Sequence, residues 1–228
     1  MRISVVIPAF NAEATIAEAL ASVLNQTLPP HEIILVDDGS TDRTAFFASE
    51  TCPSIHVERQ ANCGAPTALN AGIKLAAGDH LAFVDADDIW EKDKLETQAR
   101  LLENRPDLDG VGGYMCTFLC PSNDAGTNTR YRIPERPEAS WLLGALLLRR
   151  ECFDVCGLFD RTLPVGYSID WCDRARMAGL VFAMQPSVVL HRRIHPGSLA
   201  HRSSRGDRSM VQMARFAIER RRAQRLMK

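Results

Sequence analysis

Two apolar runs in this chain each end abruptly on carboxylates. Ile33-Ile34-Leu35-Val36 runs straight into Asp37-Asp38-Gly39, and Leu81-Ala82-Phe83-Val84 runs into Asp85-Ala86-Asp87-Asp88. Such runs, closed by turn residues, read as strands, with strands expected at Ile3 to Ile7, Glu32 to Val36, Ile55 to Val57 and His80 to Val84. Between them, Ile16, Leu20, Val23 and Leu24, and then Leu69, Ile73 and Ala76, recur at helical spacing. The alternation predicts an α/β fold of βαβ units around a mostly parallel sheet flanked by helices. In such a sheet the ligand crevice opens at the carboxyl ends of the strands, where both acidic clusters fall. Asn11 stands where it would cap the first helix, with Glu13 in the first turn.

A chain of 228 residues holds one sizeable core, and a formal charge of −1 with 46% apolar residues names no partner class by itself. A helix is expected from Lys92 to Asn104, a loop from Pro121 to Thr129, and a strand after Gly179 that leads to His191-Arg192-Arg193-Ile194-His195. Residues 207–228 form a basic helical pattern with a Met/Ala stripe, separate from a single domain over 1–206. The plain reading of that helix is packing with a solvated face. The sharper one is peripheral contact with an anionic membrane or an acidic protein. Trp141 to Leu148, the longest nearly uncharged apolar run, falls far short of the roughly 20 residues a membrane span needs. Met1 to Pro8 reads as a strand instead of a signal peptide, so the expected location is cytoplasmic. Seven scattered cysteines point to reduced thiols, and Cys116 and Cys120 on one strand stand roughly 13 Å apart, too far to share an ion.

Three carboxylates among Asp85, Asp87 and Asp88 repel one another unless a cation compensates. Aspartates two apart suit Mg2+ or Mn2+ gripping phosphate oxygens and neutralising a departing diphosphate.

The ordered set Val5-Val6-Ile7-Pro8-Ala9-Phe10-Asn11-Ala12-Glu13, Val36-Asp37-Asp38-Gly39-Ser40-Thr41-Asp42, Asn62-Cys63-Gly64, Ala68-Leu69-Asn70-Ala71-Gly72, Gly78-Asp79 and Val84-Asp85-Ala86-Asp87-Asp88 resembles glycosyltransferase family 2, whose fold is the GT-A type. The resemblance implies an inverting transfer from a UDP-sugar to an acceptor hydroxyl or other nucleophile. Pro8, Ala9, Phe10 and Glu13 would line the base and ribose pocket, and Asp38, with Asp37, would accept a hydrogen bond from uracil. Asn62, Gly64 and Asn70 would shape the nucleotide and sugar site. Asp85, Ala86 and Asp87 match the family's Asp-x-Asp, with Asp87 the more direct metal ligand and His195 a late third one. Asp170 would be the base, although Ile169 replaces the usual Glu before it, and Leu69 stands where many members carry Arg. Arg192 and Arg193 would pair with diphosphate oxygens.

The first rival is another enzyme class. Pro8-Ala9-Phe10-Asn11 replaces the Gly-rich turn that a dinucleotide enzyme or a nucleotidyltransferase carries after its first strand. The second is a nucleotide-sugar-binding member with impaired turnover. Nucleic acid is not an expected partner, since aromatics are few and no binding module is visible. The acceptor, whether saccharide, lipid-linked glycan, peptide or small metabolite, cannot be read from fold alone.

Overall fold

The computed structural model describes residues 1–120 and 133–195. The loop expected at Pro121 to Thr129 and the basic helix at 207–228 lie outside them. Among the described residues nine strands and six α-helices follow in chain order: β1 (Ile3–Ala9), α1 (Ile16–Leu24), β2 (Glu32–Asp37), α2 (Thr44–Thr51), β3 (His56–Arg59), α3 (Ala65–Leu75), β4 (His80–Phe83), β5 (Ile89–Trp90), α4 (Lys94–Asn104), β6 (Gly110–Leu119), β7 (Glu138–Ser140), β8 (Leu147–Arg149), α5 (Cys152–Cys156), α6 (Tyr167–Met177) and β9 (Phe182–Ile194). The expected strands and helices are present with ends shifted by a residue or two.

One sheet runs β3-β2-β1-β4-β8-β6-β9-β5, with β7 paired to β6. β1, β2, β3 and β4 pair in parallel, as the βαβ pattern predicts. β8 then enters antiparallel between β4 and β6, and β6 and β9 form the long parallel pair of the second half. Most paired residues run parallel, in the GT-A manner.

Successive side chains of a strand face opposite ways, and here both faces are covered. Val5, Ile7, Ile33, Leu35, Ala82 and Val84 pack into one core with Leu20 of α1 and Leu95 of α4. Val6, Ile34, Val36, Leu81 and Phe83 pack into the other with Leu69 and Ile73 of α3 and Trp171 of α6. Leu69 is therefore a core residue under α3. Gly72 lets α3 approach the sheet, since a Cβ there would fall 2.3 Å from a Val6 methyl. Among the described residues no helix is long and apolar enough to cross a membrane.

Asn11 does not cap α1, which starts at Ile16 after Thr15 with no side-chain cap. Instead Asn11 takes φ +49° and its side-chain oxygen accepts from the Thr41 amide at 2.8 Å. The Glu13 carboxylate likewise accepts from the Arg43 amide at 3.0 Å, outside the helix. The chain between β1 and α1 is stitched to the chain between β2 and α2, and these cross-loop partners outcompete the local cap.

Candidate active site

The carboxyl ends of β1, β2 and β4 open into a cleft of about 430 Å³. At one end β1 delivers Pro8, Ala9 and Phe10 to the wall, with Phe10 45% exposed. Further amides tie that wall down: Asn11 donates to Ser40 Oγ at 2.9 Å and Ala12 to Thr44 Oγ1 at 2.8 Å. Facing it, Asp38 is held by three donors, the Gln60 side-chain amide at 2.7 Å, the Cys63 amide at 2.9 Å and the Gly64 amide at 2.8 Å. Gly39 makes the approach of that loop feasible: its φ is +80°, and a Cβ there would meet the Asn62 amide at 2.9 Å. Asn62 and Gly64 complete this wall.

The other end carries Asp85, Ala86, Asp87 and Asp88. The Asp88 amide donates to the Asp85 carbonyl at 3.1 Å, folding these residues into a turn. β9 closes the turn from the far side of the sheet. His195 Nε2 stands 2.9 Å from Asp87 Oδ2, and the Arg193 amide donates to Asp88 Oδ1 at 2.9 Å. Asp85 opens to the cleft, yet the protein packed around it desolvates its carboxylate and raises its pKa to about 6, the charge of Asp87 adding to the shift and Arg192 opposing it. Burial, then the charges of Asp85 and Asp87, push Asp88 well above the usual carboxylate range.

The fit of a cation can be tested on these atoms. One oxygen from each of Asp85, Asp87 and Asp88 lies within 4.8 Å of the others. Oxygens across a divalent ion stand about 4–5 Å apart, so one ion suits the set. An oxygen-rich group with an imidazole at its edge matches Mn2+ or Mg2+. Bound there, the cation would neutralise mutually repelling carboxylates and polarise phosphate oxygens.

Four expected site residues do not line the cleft. Glu13 is engaged with Arg43 as described. Asp37 is buried and caps the β2–α2 turn, accepting from the Ser40 amide at 2.9 Å with Arg59 Nε 3.5 Å away. Asn70 is buried and clasps the Phe159 backbone, donating to its carbonyl and accepting from its amide at 2.9 Å each. Asp170, read from sequence as the base, is 2% exposed and turned onto Arg174 Nε at 3.0 Å. Arg174 in turn donates to the carbonyls of Cys156 and Leu158. The carboxylate is drawn one helical turn along α6 by a cation that ties α6 to the end of α5.

α6 instead presents Tyr167 to the cleft, a residue without any signal in the sequence motifs. Gly166, with φ +77°, turns the chain just before it, and the Tyr167 ring packs edge-on to Phe159 at 5.8 Å. Burial and the charges of Asp85 and Asp87 raise its pKa, so the phenol stays protonated. Gln60 was also missed. The two arginines of β9 part ways: Arg192 lines the cleft with its charge acting on Asp85 and Asp88, while the Arg193 guanidinium is engaged by Glu18 and the Asp87 carbonyl. Both residues border the cleft, and of the two expected diphosphate partners Arg193 has a guanidinium already engaged within the protein.

The sequence of glycosyl transferase family 2 matches residues 4–157 of this chain. An uncharacterised glycosyltransferase of Bacillus subtilis, EpsJ, is 33% identical over 183 residues, which is 71% of this chain and 52% of the relative. The Escherichia coli UDP-Glc:alpha-D-GlcNAc-diphosphoundecaprenol beta-1,3-glucosyltransferase WfgD is 39% identical over 103 residues, 44% of this chain and 40% of that one. The chain thus spans about half, or less, of the length of these relatives. Among solved structures, Staphylococcus aureus TarS 1-349 in complex with UDP-GlcNAc superposes with a TM-score of 0.71 at 22% identity, over 90% of this chain and 61% of that one. The mannosyltransferase PcManGT of Pyrobaculum calidifontis, in complex with GDP-Man and Mn2+, gives a TM-score of 0.71 at 23% identity, over 96% and 64%. These two share the fold. With the match running from β1 through both acidic clusters to the end of α5, this chain belongs to glycosyl transferase family 2.

Proposed function

We propose that the chain is an inverting glycosyltransferase that moves a sugar from a UDP-sugar to a nucleophile of an acceptor, with a divalent cation at Asp85, Asp87 and Asp88. The observation that carries this reading is a single cleft with a fixed hydrogen-bond acceptor, Asp38, at one end and a cation-ready carboxylate cluster at the other. A nucleotide-diphosphate sugar has the matching order of parts, base first and diphosphate last.

Asp38 selects the base by its chemistry. A carboxylate accepts from the ring N–H of uracil or guanine, and finds no such donor on cytosine or adenine. The donor named for WfgD and the UDP-GlcNAc held by TarS favour uracil. Phe10 supplies an apolar face for the base, and Arg192 a charge for the diphosphate. Tyr167, kept protonated, donates a hydrogen bond from the acceptor side. Asp85, Asp87, Asp88 and His195 would hold the cation, whose chemistry is to stabilise the charge that develops on the leaving diphosphate.

Asp170 acts in this reading as a positioning residue that sets α6, and through it Tyr167. Because the described residues bring no further carboxylate to the cleft, a member that binds the nucleotide sugar and turns over poorly is the second reading. The acceptor is a saccharide or lipid-linked glycan, the class named for WfgD. Release of UDP from a panel of nucleotide sugars, with Mn2+ or chelator, tests the proposal. Cation-dependent release from UDP-sugars is expected, and Asp87→Asn should reproduce the chelator result. Equal UDP affinity in Mn2+ and chelator would remove the cation; tight cation-dependent binding without transfer would favour the second reading.

A further inference from the structure

We propose that Arg193, tied to Glu18 of α1, is the positioning residue of the cation site. This rests on the reading of Asp85, Asp87 and Asp88 as cation ligands.

Arg193 touches Asp87 and Asp88, two of the three carboxylate residues that precede β5, yet offers its charge to neither side chain. Its amide donates to Asp88 Oδ1 at 2.9 Å, and its Nε donates to the Asp87 carbonyl at 2.8 Å. The terminal nitrogen reaches across to the Glu18 carboxylate, and the guanidinium lies over the Phe118 ring at 4.8 Å. At 7% exposure the group has little water to fall back on, so these partners decide where it sits. A planar fork reaches a carbonyl and a carboxylate in different directions at once, which a lysine ammonium on a single stem does not match. One side chain thus joins α1, the acidic turn, β6 and β9. It also sets the register from which His195, two residues on, meets Asp87.

Residues behind metal ligands fix the ligands' orientation, and their loss typically costs about 10–100-fold in metal affinity. Arg193→Gln should weaken Mn2+ binding at least tenfold, read by titration calorimetry on the full chain with and without UDP. Arg193→Lys should recover only part of that loss. Glu18, whose side chain is 58% exposed, provides a variant that leaves the core intact. Glu18→Gln should weaken Mn2+ binding several-fold while the melting temperature and cation-free UDP affinity stay at wild-type values.

A merely structural arginine would lower the melting temperature and leave the Mn2+ affinity of the folded fraction alone. Wild-type Mn2+ affinity in both Arg193→Gln and Glu18→Gln would overturn the proposal, and if Arg193→Gln does not fold, Glu18→Gln decides it. Absence of Mn2+ binding in the wild type marks a different failure, that of the cation site, and takes the proposal with it.

Discussion

Replacing Asp170 by Ala separates a proton acceptor from a structural anchor. The carboxylate is almost wholly buried and its partner, Arg174, has a side chain only 21% exposed, so water cannot replace the lost contact well. Arg174 keeps its two carbonyl acceptors, at Cys156 and Leu158, but loses its counter-charge. Removing one partner of a buried pair costs about 3–5 kcal/mol, and a hydrogen bond to a charged group contributes about 1.5–3. The part-exposed arginine and its remaining acceptors place Asp170→Ala near 2–3 kcal/mol on those scales, or about 5–10 °C in melting temperature for a domain of this size. Asp170→Asn keeps an acceptor for Arg174 and should lose about half as much. Thermal melts followed by circular dichroism, run beside UDP-release and transfer assays below the melting range, check both values. The expected result is a lowered melting point, with turnover of the folded fraction reduced in proportion to any displacement of Tyr167. An unchanged melting point with transfer lowered by roughly 100-fold, the scale of a lost general base, would refute the anchor and restore Asp170 as proton acceptor.

Phe10→Ala should weaken UDP binding by about tenfold, the lower end of base-on-aromatic contacts, with no change in melting temperature because the ring is half in solvent; calorimetry with UDP measures it. Lys94 is fully buried, hydrogen-bonded to Gln98 Oε1 at 2.8 Å and the Leu146 carbonyl at 3.1 Å, and burial lowers its pKa from 10.5 to about 7. Between those two values the unfolded chain binds more protons than the folded one, so this residue makes stability rise with pH from about 7 upward. Urea melts at pH 7 and 8.5 should show that rise in the wild type relative to Lys94→Met; equal slopes would contradict it.

The fold was legible because burial repeats what the sequence displays. β1, β2 and β4 are largely apolar on both faces, which makes their runs nearly continuous, and each is followed by a turn at Asn, Gly or Asp. Asp85 was readable as the first polar residue past a buried strand, and Asp38 and Asp87 as members of the acidic clusters that close two such strands. Glu13, Asp37, Asn70 and Asp170 were not. A polar side chain goes where its partner is: Arg43 and Phe159 lie on other segments, Arg174 one turn further along a helix, and Asp37 folds back onto Ser40 in its own turn with Arg59 of β3 beside it. Arg192 and Arg193 were separable in principle: both border the cleft, but neighbours on a strand send their side chains opposite ways, so the two guanidinium groups find different partners. Tyr167 and Gln60 carry no local pattern, and only the packing of α6 and of the loop after β3 brings them to the site.

The clamp between β9 and the acidic turn joins residues 105 positions apart in the chain, Asp88 and Arg193. A ribosome adding about 5–20 residues per second takes roughly 5–20 s to cover that distance. During that interval β1, β2, β3 and β4 can already pair with one another, while β4 still lacks β8 on its other edge, and the wall around Asp38 can assemble from neighbours near in sequence. The turn at Asp85 to Asp88 has to wait, with its carboxylates unopposed by Arg192 and uncrossed by Arg193. The order of synthesis thus favours assembly of the cleft from its Asp38 end to its acidic end, and β9, the last strand among the described residues, brings the groups that close the acidic turn.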